Sequence, residues 1–384
     1  MSPGPLTASA RGRTVTELMA TMGHEQIVFL NDRAAGLHAI IAIHSTALGP
    51  ALGGVRFWGY PQPADALVDA LRLSEAMTLK AAVAGLHQGG GKAVVHWPDP
   101  DRPRPASLLR ALGRAIDALG GRYLAAEDVG ATPADMNALE RETPWVTGVD
   151  EALGGSGDPS PVTAVGVLAG MRAVCNGLDG VSSLRDRRVV IQGAGHVGSH
   201  LARLLVAEGA EVVVSDLARE RVDALARDLG AASVAPDAAV TSECDVLAPC
   251  ALGGVLNHDT IPHLRCRAIV GAANNQLEGP DAAAAIAARG IVYAPDFVVN
   301  AGGIINIAEE FVGYDRARAL SRAEAIEGTT ARVLAAAGEQ GITPLRAAEQ
   351  LARERIEREG SRRRWEPGDP AAWTAGEPLR RLRG

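Results

Sequence analysis

Lysine occurs at two positions only, Lys80 and Lys92; the rest of the 38 basic residues are arginine. A guanidinium keeps its charge at every accessible pH, whereas an ammonium gives up its proton when it is desolvated or set beside another cation. Two amines spared in one glycine-rich stretch, MTLKAAVAGLHQGGGKAVV, therefore point to carboxylate binding and proton handling. A second chemistry is written in VVIQGAGHVGSHLARLL, where Gly193, Gly195 and Gly198 hold the GxGxxG spacing between an apolar run and an amphipathic one. Gly193 permits a tight turn, Gly195 lets a pyrophosphate approach the backbone, and Gly198 allows close helix–strand packing. The helix that follows offers free N–H groups to the phosphates. Asp216 ends the next apolar run, EVVVSD, where a carboxylate accepts hydrogen bonds from the adenine ribose and repels a 2′-phosphate. NAD is expected; Arg219 nearby keeps NADP open. A nicotinamide cofactor and two retained amines together suggest hydride transfer on a substrate that carries a carboxylate.

These residues need two kinds of scaffold. Beyond residue 187 the runs RRVVIQ, EVVVSD, CDVLAP, CRAIVGA and GIVYAP alternate with helical segments, which predicts βαβ units in a doubly wound α/β domain with a parallel sheet covered on both faces. Upstream, EQIVFLND and GLHAIIAIHS read as an antiparallel pair, and GPALGGVRFW follows. A helix over Ala64–Thr78 is expected to carry Lys80 at its end, KAVVHW to form a short buried strand, Ser107–Leu119 a helix, and GRYLAAEDVG a strand ending in two acids. EALGGSGDPSP, rich in glycine and proline, is the expected linker, with a cleft closing about 151–161. The division expected is residues 1–150 and 151–339, with helices of the segment 340–384 packing back on the first domain. Helices are expected over Ala317–Ala337 and Pro344–Glu359, a mobile arm over the first 14 residues, and no regular structure from Arg362.

Composition fits this reading. At about 150 residues per domain, 384 residues make two to three domains, and 47% hydrophobic with 22% charged content is that of a chain that folds throughout. A net charge of −7 provides no field for nucleic acid or anionic membrane. The longest uncharged stretch, Ala34–Val55, is interrupted by His38, His44 and Pro50, so it is not expected to span a bilayer. The N-terminus lacks an apolar signal region, which places the protein in the cytoplasm by expectation. Cys175, Cys244, Cys250 and Cys266 show no CxxC spacing, so buried free thiols are expected, without disulfide or metal.

GPALGGVRFW, MTLKAAVAGLHQGGGKAVV, AAEDVG, GSGDPSPVTAVGV and YAPDFVVNAGGIINIAEE, in this order, resemble the leucine, valine and phenylalanine dehydrogenases of the amino-acid dehydrogenase superfamily. The likeness runs from about Gly23 to Glu359. It implies an N-terminal α/β substrate and oligomerisation domain, a Rossmann-like NAD-binding domain and a homo-oligomer. The implied reaction is reversible NAD-dependent oxidative deamination of an L-amino acid to a 2-oxo acid and ammonium. By the same resemblance Lys80 holds the substrate carboxylate, Lys92 is the catalytic lysine and Asp128 exchanges protons with the amine. Gly53 and Gly54 would shape the carboxylate end, Thr163 and Asn300 would stand near the nicotinamide and the amine, and Asn275 would touch the cofactor. The side-chain pocket would take Leu52, Ala126, Ile304 and Ile307, all aliphatic, which implies a branched-chain substrate.

Physical chemistry supports these roles. Lys92, desolvated and beside a second ammonium, is expected to fall to a pKa of about 7–8, near operating pH. Quieter roles stand beside them: Lys80 as a cation at a helix C-terminus, Lys92 as a surface residue, Asp128 as a cap for VGATPADM. His87 is expected to have no catalytic part. Ala131 and the pair His87–Gln88 depart from the family's usual residues. An aromatic or unusual amino acid as substrate, or a catalytically silent dinucleotide-binding regulator, are the alternatives.

Overall fold

In the computed structural model, which describes residues 13–99 and 102–360, the chain divides into two units. One takes the described residues up to 157 with 307–315 and 352–360; the other takes 158–306 and 316–351. Apart from Arg13 and Thr14, the expected arm lies outside the described residues, as does the tail from Arg362.

The first unit opens with α1 (Val15–Met22), closed at its start by a reciprocal Thr14–Glu17 capping box and at its end by Gly23 in the left-handed region. Its five strands are β1 (Gln26–Asp32), β2 (Leu37–Ser45), β3 (Ala51–Trp58), β4 (Gly89–His96) and β5 (Tyr123–Glu127), and they line up as β1-β2-β4-β3-β5. β1 with β2 and β2 with β4 run antiparallel, while β3 runs parallel to both β4 and β5. One face carries α2 (Pro63–Val83), whose buried Ala66, Leu67, Ala70 and Leu71 pack with Ile40, Ala42 and Val94. The opposite face carries α3 (Ala106–Asp117) and α4 (Pro133–Glu140), packed on Ile41, Ile43, Val55, Val95, Tyr123 and Ala125. Side chains alternate along a strand. Odd positions of β3, β4 and β5 therefore enter the α3 core, and even positions face α2.

His24 and His44 are buried beside α2 with ring centroids 4.8 Å apart, edge to face. His24 Nε2 lies 2.9 Å from Ser74 Oγ and 3.1 Å from Leu71 O, and His44 Nδ1 lies 2.8 Å from Thr78 Oγ1. Burial, and then His44, push His24 down to about 4; burial also pushes His44 down, with Arg353 adding to it and Glu25 opposing. The unfolded chain, with ordinary histidines, therefore takes up protons first as the pH falls. The contribution to stability is full above about pH 6.5 and is lost toward pH 4, at up to about 1.4 kcal/mol per pH unit for His24. The urea midpoint is expected to drop between pH 7 and pH 5 and to drop less in His24→Gln; equal midpoints at the two pH values in the unsubstituted protein would contradict this.

The second unit is a six-stranded parallel sheet ordered β11-β10-β9-β6-β7-β8. Its elements are α5 (Ser160–Asp179), β6 (Arg188–Gln192), α6 (His196–Ala207), β7 (Glu211–Ser215), α7 (Arg219–Leu229), β8 (Ala232–Ser233), β9 (Cys244–Pro249), β10 (Cys266–Ile269), α8 (Pro280–Ala288), β11 (Val292–Tyr293), α9 (Asp296–Val299), α10 (Gly302–Ala308), α11 (Arg316–Glu324), α12 (Ile326–Gln340) and α13 (Pro344–Gly360), α10 and α13 each crossing a unit boundary. The order reverses between β6 and β9, and the glycine turn follows β6 at that switch point. α5 has the length and apolarity of a membrane span although it carries Arg172 and Asp179; most of it is buried inside this unit. All four cysteines are free, three buried and Cys250 half-buried.

Candidate active site

Strand alternation assembles the first half of the site. Leu52, Gly54 and Arg56 on β3, Gly90 and Lys92 on β4, and Ala126 with Asp128 at the end of β5 occupy even positions on the α2 face. The parallel register sets Gly54 opposite Ala126 on one side, while Leu52 pairs with Gly90 on the other. Across Gly54, Lys92 Nζ and Asp128 Oδ2 stand 2.7 Å apart. A Cβ on Gly54 would lie 2.5 Å from Asp128 Cβ and 3.2 Å from Lys92 Nζ, so the pair exists because this position has no side chain. Gly53 is needed for a different reason: a Cβ there would overlap the carbonyl oxygen of Gly91. The Tyr123 hydroxyl donates to the Gly53 carbonyl at 2.6 Å and ties β5 to β3 at this point.

Lys92 is 4% exposed, which excludes a surface role. Burial drives its pKa down, Asp128 pulls it up, and the Arg56 guanidinium pushes it down again, with a net lowering. A cation set against the pair is thus Arg56, which the sequence reading had not named. For Asp128 burial acts upward, but Lys92 and then Arg56 outweigh it and hold the carboxyl well below the usual carboxylate range. Arg56 Nε donates to Oδ2 at 2.8 Å, the same oxygen that meets Lys92. Oδ1 therefore has no hydrogen bond among the described residues, and with 22% of the side chain exposed it is open to a donor.

Thr132, not Asp128, caps α4, with Asp135 completing the capping box. Arg104 pairs with Asp135 at 2.8 Å, donates to the Gly130 carbonyl and stacks over Phe57, so the loop after Asp128 is pinned at three points. Lys80 is half-buried inside the last turn of α2, which runs longer than expected because Ala81, Ala82 and Val83 continue its buried face. A Cβ on Gly90 would overlap Thr78, so the glycine lets α2 lie against the strand that carries Lys92. Leu52 and Ala126 are buried on the same face.

The second unit carries the dinucleotide features. Gly193 turns at φ 110°, and a Cβ on Gly198 would overlap the Gly193 carbonyl. Around Gly195, which opens α6, a Cβ would meet nothing within 4 Å. Asp216 Oδ2 accepts from Ala194 N at 2.7 Å and Oδ1 from Ala218 N at 2.8 Å, holding the carboxylate at the glycine turn. Open approach over Gly195 beside a fixed carboxylate fits a dinucleotide. Asn300 Nδ2 donates to Ala272 O at 3.1 Å and to Asn274 Oδ1 at 2.9 Å, whereas its buried Oδ1 has no partner among the described residues. Asn275 takes the left-handed conformation at φ 53° in the same turn. Thr163 Oγ1 donates to Pro159 O at 3.0 Å. Ile304, buried, and Ile307, half-buried, lie one turn apart on α10.

Several participants escaped the sequence reading. Arg56 pairs with Asp69 at 2.9 Å as well as with Asp128, and Tyr60 OH donates to Asp69 at 2.6 Å. The buried Glu310 carboxylate accepts from Ser156 N at 2.9 Å, Ser156 Oγ at 2.6 Å and Gly148 N at 3.1 Å, so it holds part of the segment expected to act as linker. The available signal for Arg56 was its even-numbered place on the strand that holds Gly54.

Residues 24–145 match the family described as Glu/Leu/Phe/Val dehydrogenase, dimerisation domain, and residues 154–219 and 215–363 match Glutamate/Leucine/Phenylalanine/Valine dehydrogenase. The chain is 48% identical over 340 residues to leucine dehydrogenase of Bacillus subtilis (strain 168), covering 88% of this chain and 93% of that protein. It is 50% identical over 337 residues to valine dehydrogenase of Streptomyces coelicolor, with 87% and 92% covered. Among solved structures, L-tryptophan dehydrogenase from Nostoc punctiforme is similar at a TM-score of 0.82 and 40% identity, covering 90% of this chain and 100% of that one. Both units are accounted for by these likenesses, and the chain belongs to the glutamate, leucine, phenylalanine and valine dehydrogenase family.

Proposed function

We propose that this dehydrogenase oxidatively deaminates a branched-chain L-amino acid, valine, leucine or isoleucine, to its 2-oxo acid and ammonium with NAD, and runs in reverse. The observation that carries the mechanism is the Lys92–Asp128 pair with Oδ1 left open. NAD, when bound, supplies the hydride acceptor; Gly193, Gly195, Gly198 and Asp216 would hold its pyrophosphate and ribose, with Thr163, Asn275 and Asn300 toward the nicotinamide and the amine. Lys80 binds the substrate carboxylate. Asp128, ionised at neutral pH, takes a proton from the substrate ammonium at Oδ1 and so readies the nitrogen for oxidation. Lys92, its proton loosened by burial, accepts one at Nζ from the water that attacks the α-carbon. Holding carboxylate and amine together orients the α-hydrogen, and such positioning supplies much of the barrier reduction.

Leu52, Ala126, Ile304 and Ile307 offer no polar group to a substrate side chain, which supports an aliphatic substrate alongside the leucine and valine dehydrogenase relatives. One methylene is worth about 1–3 kcal/mol in such recognition, so all three branched-chain acids are expected to react. The tryptophan dehydrogenase likeness supplies an aromatic second reading. The likeness of residues 24–145 to a dimerisation domain supports a homo-oligomer. NADH formation from valine, leucine, isoleucine, phenylalanine and tryptophan, each with NAD and NADP, is the test. The expected result is turnover of the aliphatic acids with NAD; faster turnover of tryptophan, or a preference for NADP, would replace the corresponding part of the proposal.

A further inference from the structure

We propose that Arg56 is a positioning residue for the deamination chemistry: it fixes which oxygen of Asp128 receives the substrate proton and acts as the permanent positive charge that keeps the Lys92 proton labile. The inference rests on the roles given above to Lys92 and Asp128, and it extends them to a residue that acts through both.

The geometry is a chain of five groups on the α2 face. Tyr60 OH donates to Asp69 Oδ2 at 2.6 Å, Arg56 Nη1 donates to the same oxygen at 2.9 Å, Arg56 Nε donates to Asp128 Oδ2 at 2.8 Å, and Lys92 Nζ meets that oxygen at 2.7 Å. The guanidinium thus bridges two carboxylates with a planar fork, a geometry an ammonium cannot reproduce. Asp69 is 6% exposed and sits on α2, so the far end of the fork is anchored in the sheet–helix packing. Two cations on Oδ2 occupy its lone pairs and turn Oδ1 outward as the acceptor left to a substrate ammonium.

The charge matters as much as the fork. The charged groups that act on Lys92 include Asp128 after β5, Arg56 from β3 and Asp69 from α2, with Tyr60 bonded to Asp69 and Tyr123 bonded to the Gly53 carbonyl. Burial keeps the Tyr60 and Tyr123 hydroxyls protonated, pushing both well up. Asp128 opposes loss of the Lys92 proton, and Arg56 favours it. When Asp128 takes the substrate proton at Oδ1 its negative charge is gone. Lys92 is then left buried beside a cation that cannot deprotonate, which favours the neutral amine, its proton given up to solvent, that accepts a proton at Nζ from the attacking water. Arg56 in this way couples the two proton transfers.

The test is the pH profile of kcat/KM for deamination, with the urea midpoint as a check of folding, since the dinucleotide turn belongs to the other unit and NADH affinity does not report on this one. In Arg56→Gln the limb that rises with pH, set by deprotonation of Lys92, is expected to move to higher pH by about one unit, with a plateau kcat lower by about tenfold. Arg56→Lys is expected to bring the limb back toward its original position while the plateau stays low, because the charge returns without the fork. If Arg56→Gln leaves Asp69 unpaired and does not fold, Arg56→Gln with Asp69→Asn removes that burden and is expected to show the same shift. Profiles that superimpose on the unsubstituted enzyme, or an equal drop at every pH in both single variants, would overturn the inference. Full activity in Lys92→Ala would instead overturn the underlying roles, so the two failures are distinguishable.

Discussion

Lys92→Ala is expected to lower kcat for deamination by about 10²–10⁴-fold, the usual contribution of a positioned acid or base, while changing the Kd for NADH by less than about twofold. The side chain is 4% exposed, so its removal leaves a cavity as well as a missing amine. The cavity is confined to the first unit. Asp128 keeps Arg56 on Oδ2, so no bare carboxylate is left behind and the charge balance costs little. A second substitution separates charge from proton transfer. Lys92→Arg keeps the positive charge but cannot release it at any accessible pH, and it is expected to be as inactive in deamination as the alanine variant. Steady-state rates with an aliphatic amino acid and fluorescence titration with NADH supply both measurements. An arginine variant retaining more than about a tenth of the rate would show that Lys92 serves as a charge and not as a base.

The doubly wound unit was legible because its parallel strands are buried on both faces and read as short apolar runs, and because the glycine spacing sits between a strand and a helix. The helix expected over 317–337 is two, α11 and α12, parted at Ala325. Lys80 and Lys92 drew notice by residue type, as the two lysines of an arginine-rich chain. Elsewhere the signals were weaker than the packing. The run Gly89, Gly90, Gly91 looks like a break in any pattern of propensity, yet it opens β4. Side chains there would overlap Ser45, Thr78 and Tyr123, so close backbone approach chose glycine and the neighbouring strands supplied the conformation. α1 went unread although Thr14, Glu17 and Gly23 carry its start and stop signals, because eight residues are too few for a clear period. Arg56 was hidden by the same bias that exposed the lysines. One arginine among many has no signal of type, and its partners Asp69 and Asp128 reach it only through the β3–β5 register and the return of α2 over the sheet.

Gly54→Ala is expected to lower kcat/KM by about 10²-fold or more by adding one methyl group. The backbone at Gly54 is not in the left-handed region, so an alanine there meets no conformational penalty and its effect is steric alone. The added Cβ would stand 2.5 Å from Asp128 Cβ, 3.1 Å from Glu127 O and 3.2 Å from Lys92 Nζ. Neither Glu127 O nor Asp128 Cβ is the far end of a flexible chain, so the end of β5 must move, and it takes Oδ1 with it. Overpacking of this kind typically costs about 1–3 kcal/mol of stability, which leaves a folded enzyme to assay. Displacement by about 1 Å is enough for the expected loss when catalysis depends on aiming a proton and a hydride at one substrate. The loss should fall on kcat as well as KM, because the carboxylate contact proposed for Lys80 is untouched and the amine is what goes unserved. NADH affinity should be unchanged. An alanine variant within about threefold of the unsubstituted kcat/KM would mean that Lys92 and Asp128 need not meet across this position, and the reading of their 2.7 Å contact as the working geometry would fall with it.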